Sequence, residues 1–264
     1  MIPAALPPVD LAGPAQHRFE DATRAAGMDP DDRWAGGYAA YEWNHVRPAL
    51  HAYAIGVAGR DVLELGCNVG GSAVVLAALG ARLKGVDVDP LMPPIAAANL
   101  ERHGLPGDIG LVGAGAPLPF ADASFDLVLA NSVLEYVEPS LLDHGIAELH
   151  RVLRPRGHLF ICGTASRLAL RERHSGRWLV NFLPRALDQL AGKPLQRGLP
   201  PWRLARCLSG RFVEVGGAGG WLAARRAIHG DVGPPVRAYA ALGRVASRAP
   251  GWFAPYIELL LERT

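Results

Sequence analysis

Residues 61–89 read DVLELGCNVGGSAVVLAALGARLKGVDVD. This stretch predicts a strand, a glycine-rich turn, a helix and a second strand ending in an acid. Val62-Leu63-Glu64-Leu65 is a short apolar run of the kind that fills a parallel sheet covered on both faces. Gly66-Cys67-Asn68-Val69-Gly70-Gly71 follows, and glycine allows positive φ and close approach of the backbone to a neighbour. Ser72 is suited to cap a helix over Ala73–Leu79, with Gly80 ending it. Leu83–Val88 then carries Asp87 to the carboxyl end of the second strand, the end at which open α/β sheets bind ligands.

Working outward, the alternation continues. Pro90 opens a helix to about His103, and Ile109–Val112 is a third strand. Phe125–Ala130 is a fourth, and Ser140–Leu153 is an amphipathic helix with Leu142, Ile146, Leu149 and Val152 at helical spacing. His158–Cys162 is a fifth strand. Strand–helix alternation over 61–162 predicts an α/β, doubly wound parallel sheet with right-handed crossovers. The pattern then changes. Residues 163–198 form an insertion with a helix near Leu179–Leu190, and Pro201–Leu208 is a short helix. Phe212–Val215, Gly216–Gly220 and Trp221–Ala227 read as a terminal antiparallel hairpin. Helices near 234–248 and 253–262 follow. Upstream, residues 1–16 are irregular, and His17–Gly27 and Trp34–Ala58 are mainly helical. The expected organisation is an N-terminal helical lid (1–58), a ligand-binding Rossmann-like domain (59–227) and a C-terminal helical extension (228–264).

Half of the 264 residues are hydrophobic, enough for a substantial core. No apolar run is long enough to span a membrane, and MIPAALPPVD lacks the basic and apolar regions of a secretory signal, so a cytoplasmic location is expected. Cys67, Cys162 and Cys207 form no C-x-x-C pair, which points away from a disulfide framework and a zinc site. Charge is uneven. Residues 1–150 hold eight Lys/Arg against nineteen Asp/Glu, and residues 151–264 hold nineteen against six. That asymmetry fits either an anionic partner or two halves whose fields cancel. The aromatics do not interleave with the arginines as in a nucleic-acid module, so a small anion or a membrane surface is the better candidate.

The glycine turn with Asp87 suits an adenosine-containing ligand, NAD or S-adenosylmethionine. The dinucleotide fingerprint wants G-x-G-x-x-G, and Asn68 stands where its middle glycine would be. Four stretches, in order, decide between the two: VLELGCNVGG (62–71), GVDVDP (85–90), APLPFADASFDLVLANSVLEYV (116–137) and RVLRPRGHLFI (151–161). Together they resemble the class I S-adenosylmethionine-dependent methyltransferases. The resemblance implies a seven-stranded sheet in the order 3-2-1-4-5-7-6 with strand 7 antiparallel, and S-adenosyl-L-methionine as cofactor. It also implies that Glu64 and the turn through Gly66, Cys67, Asn68 and Gly70 surround the methionine portion. Asp87 would then hold the ribose hydroxyls, with Val88 beside the adenine and the Asn131 backbone against the methionine amino group. Where the family often has an acid for the adenine amine, this chain has Ala114, within Gly113-Ala114-Gly115. Backbone groups there, Gly115 among them, are left to hold the ring.

The acceptor is less legible. Hydroxyl methylation needs a base, and the candidates are Glu135 after the fourth strand, His45 in the lid and His174 in the insertion. Each has a structural alternative as a cap, a packing residue or a surface group. The L-E-H signature of some quinone-biosynthesis methyltransferases reads Leu134-Glu135-Tyr136 here, which disfavours a catalytic metal. Arg167, Arg171, Arg173 and Arg177 suggest either an anion clamp or a solvated face. The apolar tail from Gly251 to Leu261 is expected to be core, with a homodimer seam or peripheral membrane contact as the alternative. The combined expectation is methyl transfer to oxygen of a small-molecule or saccharide-like acceptor. An NAD-dependent oxidoreductase and a non-catalytic S-adenosylmethionine-binding adaptor are the rivals.

Overall fold

The computed structural model describes residues 5–173, 175–184 and 196–264. Seven strands form one sheet: β1 Asp61–Leu65, β2 Arg82–Asp87, β3 Asp108–Leu111, β4 Phe125–Asn131, β5 Leu153–Ala165, β6 Phe212–Glu214 and β7 Tyr256–Arg263. Their order is β3-β2-β1-β4-β5-β7-β6. The first five are parallel, and β7 runs antiparallel to both β5 and β6. The helices are α1 Pro14–Ala25, α2 Tyr38–Trp43, α3 Val46–Ala52, α4 Gly71–Ala78, α5 Met92–Arg102, α6 Leu142–Val152, α7 Pro201–Leu208, α8 Gly217–His229 and α9 Pro234–Ala246. The order and the antiparallel seventh strand are those the resemblance implies.

The period of two divides the core. Val62, Leu127, Leu129 and Phe160 face one layer, with Trp43, Leu50, Leu76 and Trp221 of α2, α3, α4 and α8. Leu63, Val128, Leu159 and Ile161 face the other, with Ile146 and Leu149 of α6 and Leu204 of α7. A smaller cluster joins Phe19 of α1 to Ile95 of α5 and Val69 of the glycine turn. Of the N-terminal helices, α2 and α3 therefore cover one face of the sheet, while α1 reaches the glycine turn at the carboxyl end of β1.

Several local expectations fail for physical reasons. The glycine-rich stretch after β6 is no hairpin turn, since residues 217–229 are helical. Its glycines make room for an aromatic ring: a Cβ on Gly216 or Gly220 would stand 2.6 Å from the Tyr53 ring. The second partner in the antiparallel pair is instead the tail, which is β7 and not a helix over 253–262. Its burial on both faces erases the strand alternation, so the apolar run fits either element. The sheet thus runs on to Arg263, and residues 228–264 are not wholly a helical extension. Trp252, Ile257, Leu259 and Leu261 are core, the first of the two readings of the tail. The expected helix near Leu179–Leu190 falls partly outside the described residues. Of its described part, Val180–Phe182 forms a single 3-10 turn.

Candidate active site

The strand topology brings the ends of β1, β2 and β4 to one edge. Leu65 lies between Val86 and Ala130 in register. The glycine turn leaves β1 there with positive φ at Gly66 (68°), Asn68 (48°) and Gly70 (81°). Asparagine tolerates this region, so Asn68 takes the place of a glycine without a break. The turn is clamped from three sides. A Cβ on Gly66 would stand 2.3 Å from Val133 Cγ2, one on Gly70 2.9 Å from Ala96 Cα, and one on Gly71 2.5 Å from the Tyr38 ring. Gly70 is the cap, so α4 starts at Gly71 and Ser72 lies inside it instead of capping it. The Ser72 hydroxyl instead accepts a hydrogen bond from Asn131 Nδ2 at 2.9 Å.

Asp87 takes one backbone N–H on each oxygen, from Asn68 at 2.8 Å and from Asp89 at 3.0 Å. Each carboxylate oxygen keeps a further lone pair, a geometry suited to two adjacent hydroxyls. Val88 beside it is 57% exposed, an apolar surface for a flat ring. Glu64 is 2% exposed, and its Oε2 has no hydrogen-bond partner among the described residues. Burial, reinforced by the nearby Glu42 charge, pushes its carboxyl well above the ordinary range. An unsatisfied buried oxygen of this kind is costly unless a ligand donor meets it. Cys67 is buried, and burial raises its thiol. Its sulfur lies over Gly85, where a Cβ would stand 3.7 Å from it. Gly115 (φ 74°) faces Leu141, with which a Cβ would collide at 2.9 Å. The positive φ accounts for that glycine, since the Leu141 side-chain end can yield.

Beside the turn, a cavity of about 240 Å³ opens where β4 and β5 end. Asn131, Ser132, Cys162 and Gly163 form one wall, Glu42 and His45 a second, and Arg225, Tyr256 and Glu258 a third. The β5–β7 register shifts between Ile161 and Thr164. Gly163 sits in that bulge at φ 63°, where a Cβ would strike Ser132 Oγ at 2.5 Å. A bulge here re-aims the strand end at the site. His45 Nδ1 lies 2.6 Å from the Tyr41 carbonyl, and its ring stacks on Tyr41 at 3.9 Å. Nδ1–H must donate to that carbonyl, so that in the neutral ring Nε2 is the lone-pair nitrogen.

The three candidate bases do not meet. Glu135 Oε1 accepts the Ala165 backbone N–H at 3.0 Å, which ties down the end of β5. Its side chain borders a different cavity of about 480 Å³, shared with Arg167, Arg197 and Trp202. His174 lies outside the described residues. The arginines do not converge either: Arg173 enters the first cavity and Arg167 the second, while exposed Arg171 donates from Nε to the Gly176 carbonyl at 2.9 Å.

Sequence reading missed Glu42, Arg225 and Glu258. Glu258 Oε2 pairs with Arg225 Nη2, and Tyr53 OH donates to its Oε1 at 3.2 Å. A single acid within the apolar run YIELLL was the available signal. Burial raises the Glu42 carboxyl, an effect partly offset by hydrogen bonds from Tyr38 and Asn131.

Residues 63–161 match a family model described as a methyltransferase domain. The ribosomal protein L11 methyltransferase of Pelotomaculum thermopropionicum is 31% identical over 174 residues, 62% of this chain and 55% of that one. The demethylmenaquinone methyltransferase of Tropheryma whipplei is 34% identical over 105 residues, covering 40% and 42%. The chain spans 41% to 55% of the length of the first curated relatives it matches. Among solved structures, an S-adenosylmethionine-dependent methyltransferase from Mesorhizobium loti superposes with a TM-score of 0.51 at 20% identity. That match covers 82% of this chain and 96% of the other, and it speaks for the fold alone.

Proposed function

We infer, from the premise that this chain is in its residues 63–161 a class I S-adenosylmethionine-dependent methyltransferase, that it methylates an oxygen of a small molecule seated in the cavity where β4 and β5 end. When bound, the cofactor supplies an electrophilic methyl carbon on a sulfonium. The residues present fit it: Asp87 offers free lone pairs for hydroxyls, Glu64 an unsatisfied buried oxygen for a donor, and Val88 an apolar face. The protein's part is then to orient the acceptor, exclude water and take a proton.

One observation carries the choice of oxygen over nitrogen. His45 borders the acceptor cavity in the tautomer whose Nε2 can accept a proton. A hydroxyl needs such a group, whereas a neutral amine attacks without one. Positioning comes from Tyr41, which holds the imidazole by stacking and through its carbonyl.

Two measurements test this reading. Calorimetry should show binding of S-adenosylhomocysteine and none of NADH. Turnover of S-adenosylmethionine against a panel of small hydroxyl and amine compounds should favour the hydroxyls. If S-adenosylhomocysteine does not bind the folded protein, the function proposed here is wrong; if only amines are methylated, the oxygen assignment is.

A further inference from the structure

The acceptor cavity holds two arginines whose charges are met differently. Arg225 is matched by Glu258 at the cavity wall. Arg173 arrives from a tight turn, closed by the Arg171–Trp178 bridge and by Glu172 N–H donating to the Arg177 carbonyl at 2.9 Å. One of its nitrogens, Nη1, donates to Ser132 Oγ at 3.1 Å and to the Gly163 carbonyl in the β5 bulge. Its guanidinium lies over the Tyr256 ring, 5.0 Å from the centroid. Among the described residues it forms no ion pair with a carboxylate, and its Nη2 and Nε are uncommitted. The other acid on the cavity, Glu42, has its carboxyl raised, with burial the largest cause and the Arg173 charge among the groups that oppose it.

A guanidinium keeps its charge at all accessible pH, and a fork with two free donor positions matches an oxyanion. The lining of the same cavity includes apolar Val46, Ala49 and Ile228. The volume, about 240 Å³, equals that of about eight waters in the liquid. We propose that the methyl acceptor is a small oxyanion with an apolar body, a carboxylate or a phosphate ester, held by the Arg173 fork with its apolar part against α3 and α8. This rests on the reading of the chain as a methyltransferase whose acceptor occupies this cavity. It narrows the acceptor from any small hydroxyl compound to an acidic one.

The test is calorimetry on the full chain saturated with S-adenosylhomocysteine, with benzoate, phenyl phosphate and benzamide as probes. The anions should bind at least about tenfold more tightly than benzamide, the effect of a charge-assisted hydrogen bond. Preference for benzoate identifies a carboxylate acceptor, and preference for phenyl phosphate identifies a phosphate ester. Arg173→Gln should abolish the preference for anions while S-adenosylhomocysteine binds as before. Arg173→Lys should retain part of it. Equal binding of benzamide and benzoate, no binding of either anion, or an Arg173→Gln protein with undiminished preference each overturns the proposal. The anion-against-amide comparison is made on the unaltered protein, so it stands even if the Gln variant does not fold. Failure of the initial S-adenosylhomocysteine saturation is a separate result that removes the methyltransferase reading and this proposal with it.

Discussion

Glu258→Ala removes the carboxylate on which Tyr53 of the segment after α3 and Arg225 of α8 both depend. The side chains of Arg225 and Glu258 are 16% and 4% exposed. Without Glu258, a nearly buried guanidinium loses its counter-charge and the Tyr53 hydroxyl loses its acceptor. Breaking a buried pair by removing one partner costs about 3–5 kcal/mol, and a lost neutral-donor hydrogen bond about 1 kcal/mol. Arg225 borders the cavity and so regains some solvation, which puts the expected net loss near 3–4 kcal/mol. Urea denaturation should show this as a lower midpoint at unchanged slope. A thermal melt should fall by roughly 6–16 °C, at about 2–4 °C per kcal/mol for a chain of this size. Glu258→Gln, which keeps an acceptor for Tyr53 but no charge, should fall between the two. The double change Glu258→Leu with Arg225→Met should recover most of the loss, because it buries neither an unpaired charge nor an orphan carboxylate. A loss below about 1 kcal/mol for Glu258→Ala, or a double variant as unstable as the sum of its singles, would refute the reasoning that this is a mutually dependent buried pair.

Four further outcomes are expected. Asp87→Ala should weaken S-adenosylhomocysteine binding by about 1.5–3 kcal/mol for each charge-assisted bond lost, read by calorimetry; unchanged affinity would remove the hydroxyl-binding role. His45→Gln should lower kcat on a hydroxyl acceptor by about 10²–10⁴ while cofactor affinity holds, and an unchanged kcat would rule out His45 as the base. Gly70→Ala introduces a Cβ at φ 81° and 2.9 Å from the Ala96 backbone; denaturation should show a loss of about 1–3 kcal/mol. The guanidinium of Arg82, and then that of Arg154, hold Asp61 below the ordinary aspartate range. A depressed folded pKa contributes stability that is present above the unfolded value near 3.9 and lost as pH falls towards the folded value. Asp61→Asn should therefore reduce stability at pH 7 by about 1 kcal/mol and flatten its decline below about pH 4, as measured by urea melts across pH.

Legibility in the sequence followed the range of the interactions. The unit from β1 to β2 was readable because its determinants are local: an apolar strand, a turn with three left-handed residues and an acid nineteen residues from Asn68. The acceptor cavity was not readable, because its walls come from segments brought together only by the finished sheet. Glu258 of one wall and Tyr53, whose hydroxyl donates to it, lie 205 residues apart. Ser132 and Arg173 lie 41 apart and meet across a bulge that periodicity does not announce. Glu135 was a candidate base from its place after β4, and nothing in the sequence signals that one of its carboxylate oxygens accepts a backbone N–H of β5. The glycines of α8 looked like a turn because glycine has two uses: positive φ, and the absence of a side chain where an aromatic ring needs the space.

The placement of β7 between β5 and β6 has a consequence for how the molecule is made. In chain order it is the last strand, yet in space it is an interior one. While the ribosome is still adding residues before Tyr256, β5 presents an unpaired edge, and β6 has no neighbour at all among the strands already synthesised. Such an edge is a template for pairing with another nascent chain. The same delay governs the acceptor cavity, because Tyr256 and Glu258 are among its walls. The cofactor turn, whose clamping residues Tyr38, Ala96 and Val133 all precede β5, can therefore take shape during synthesis, well before the cavity beside it is closed.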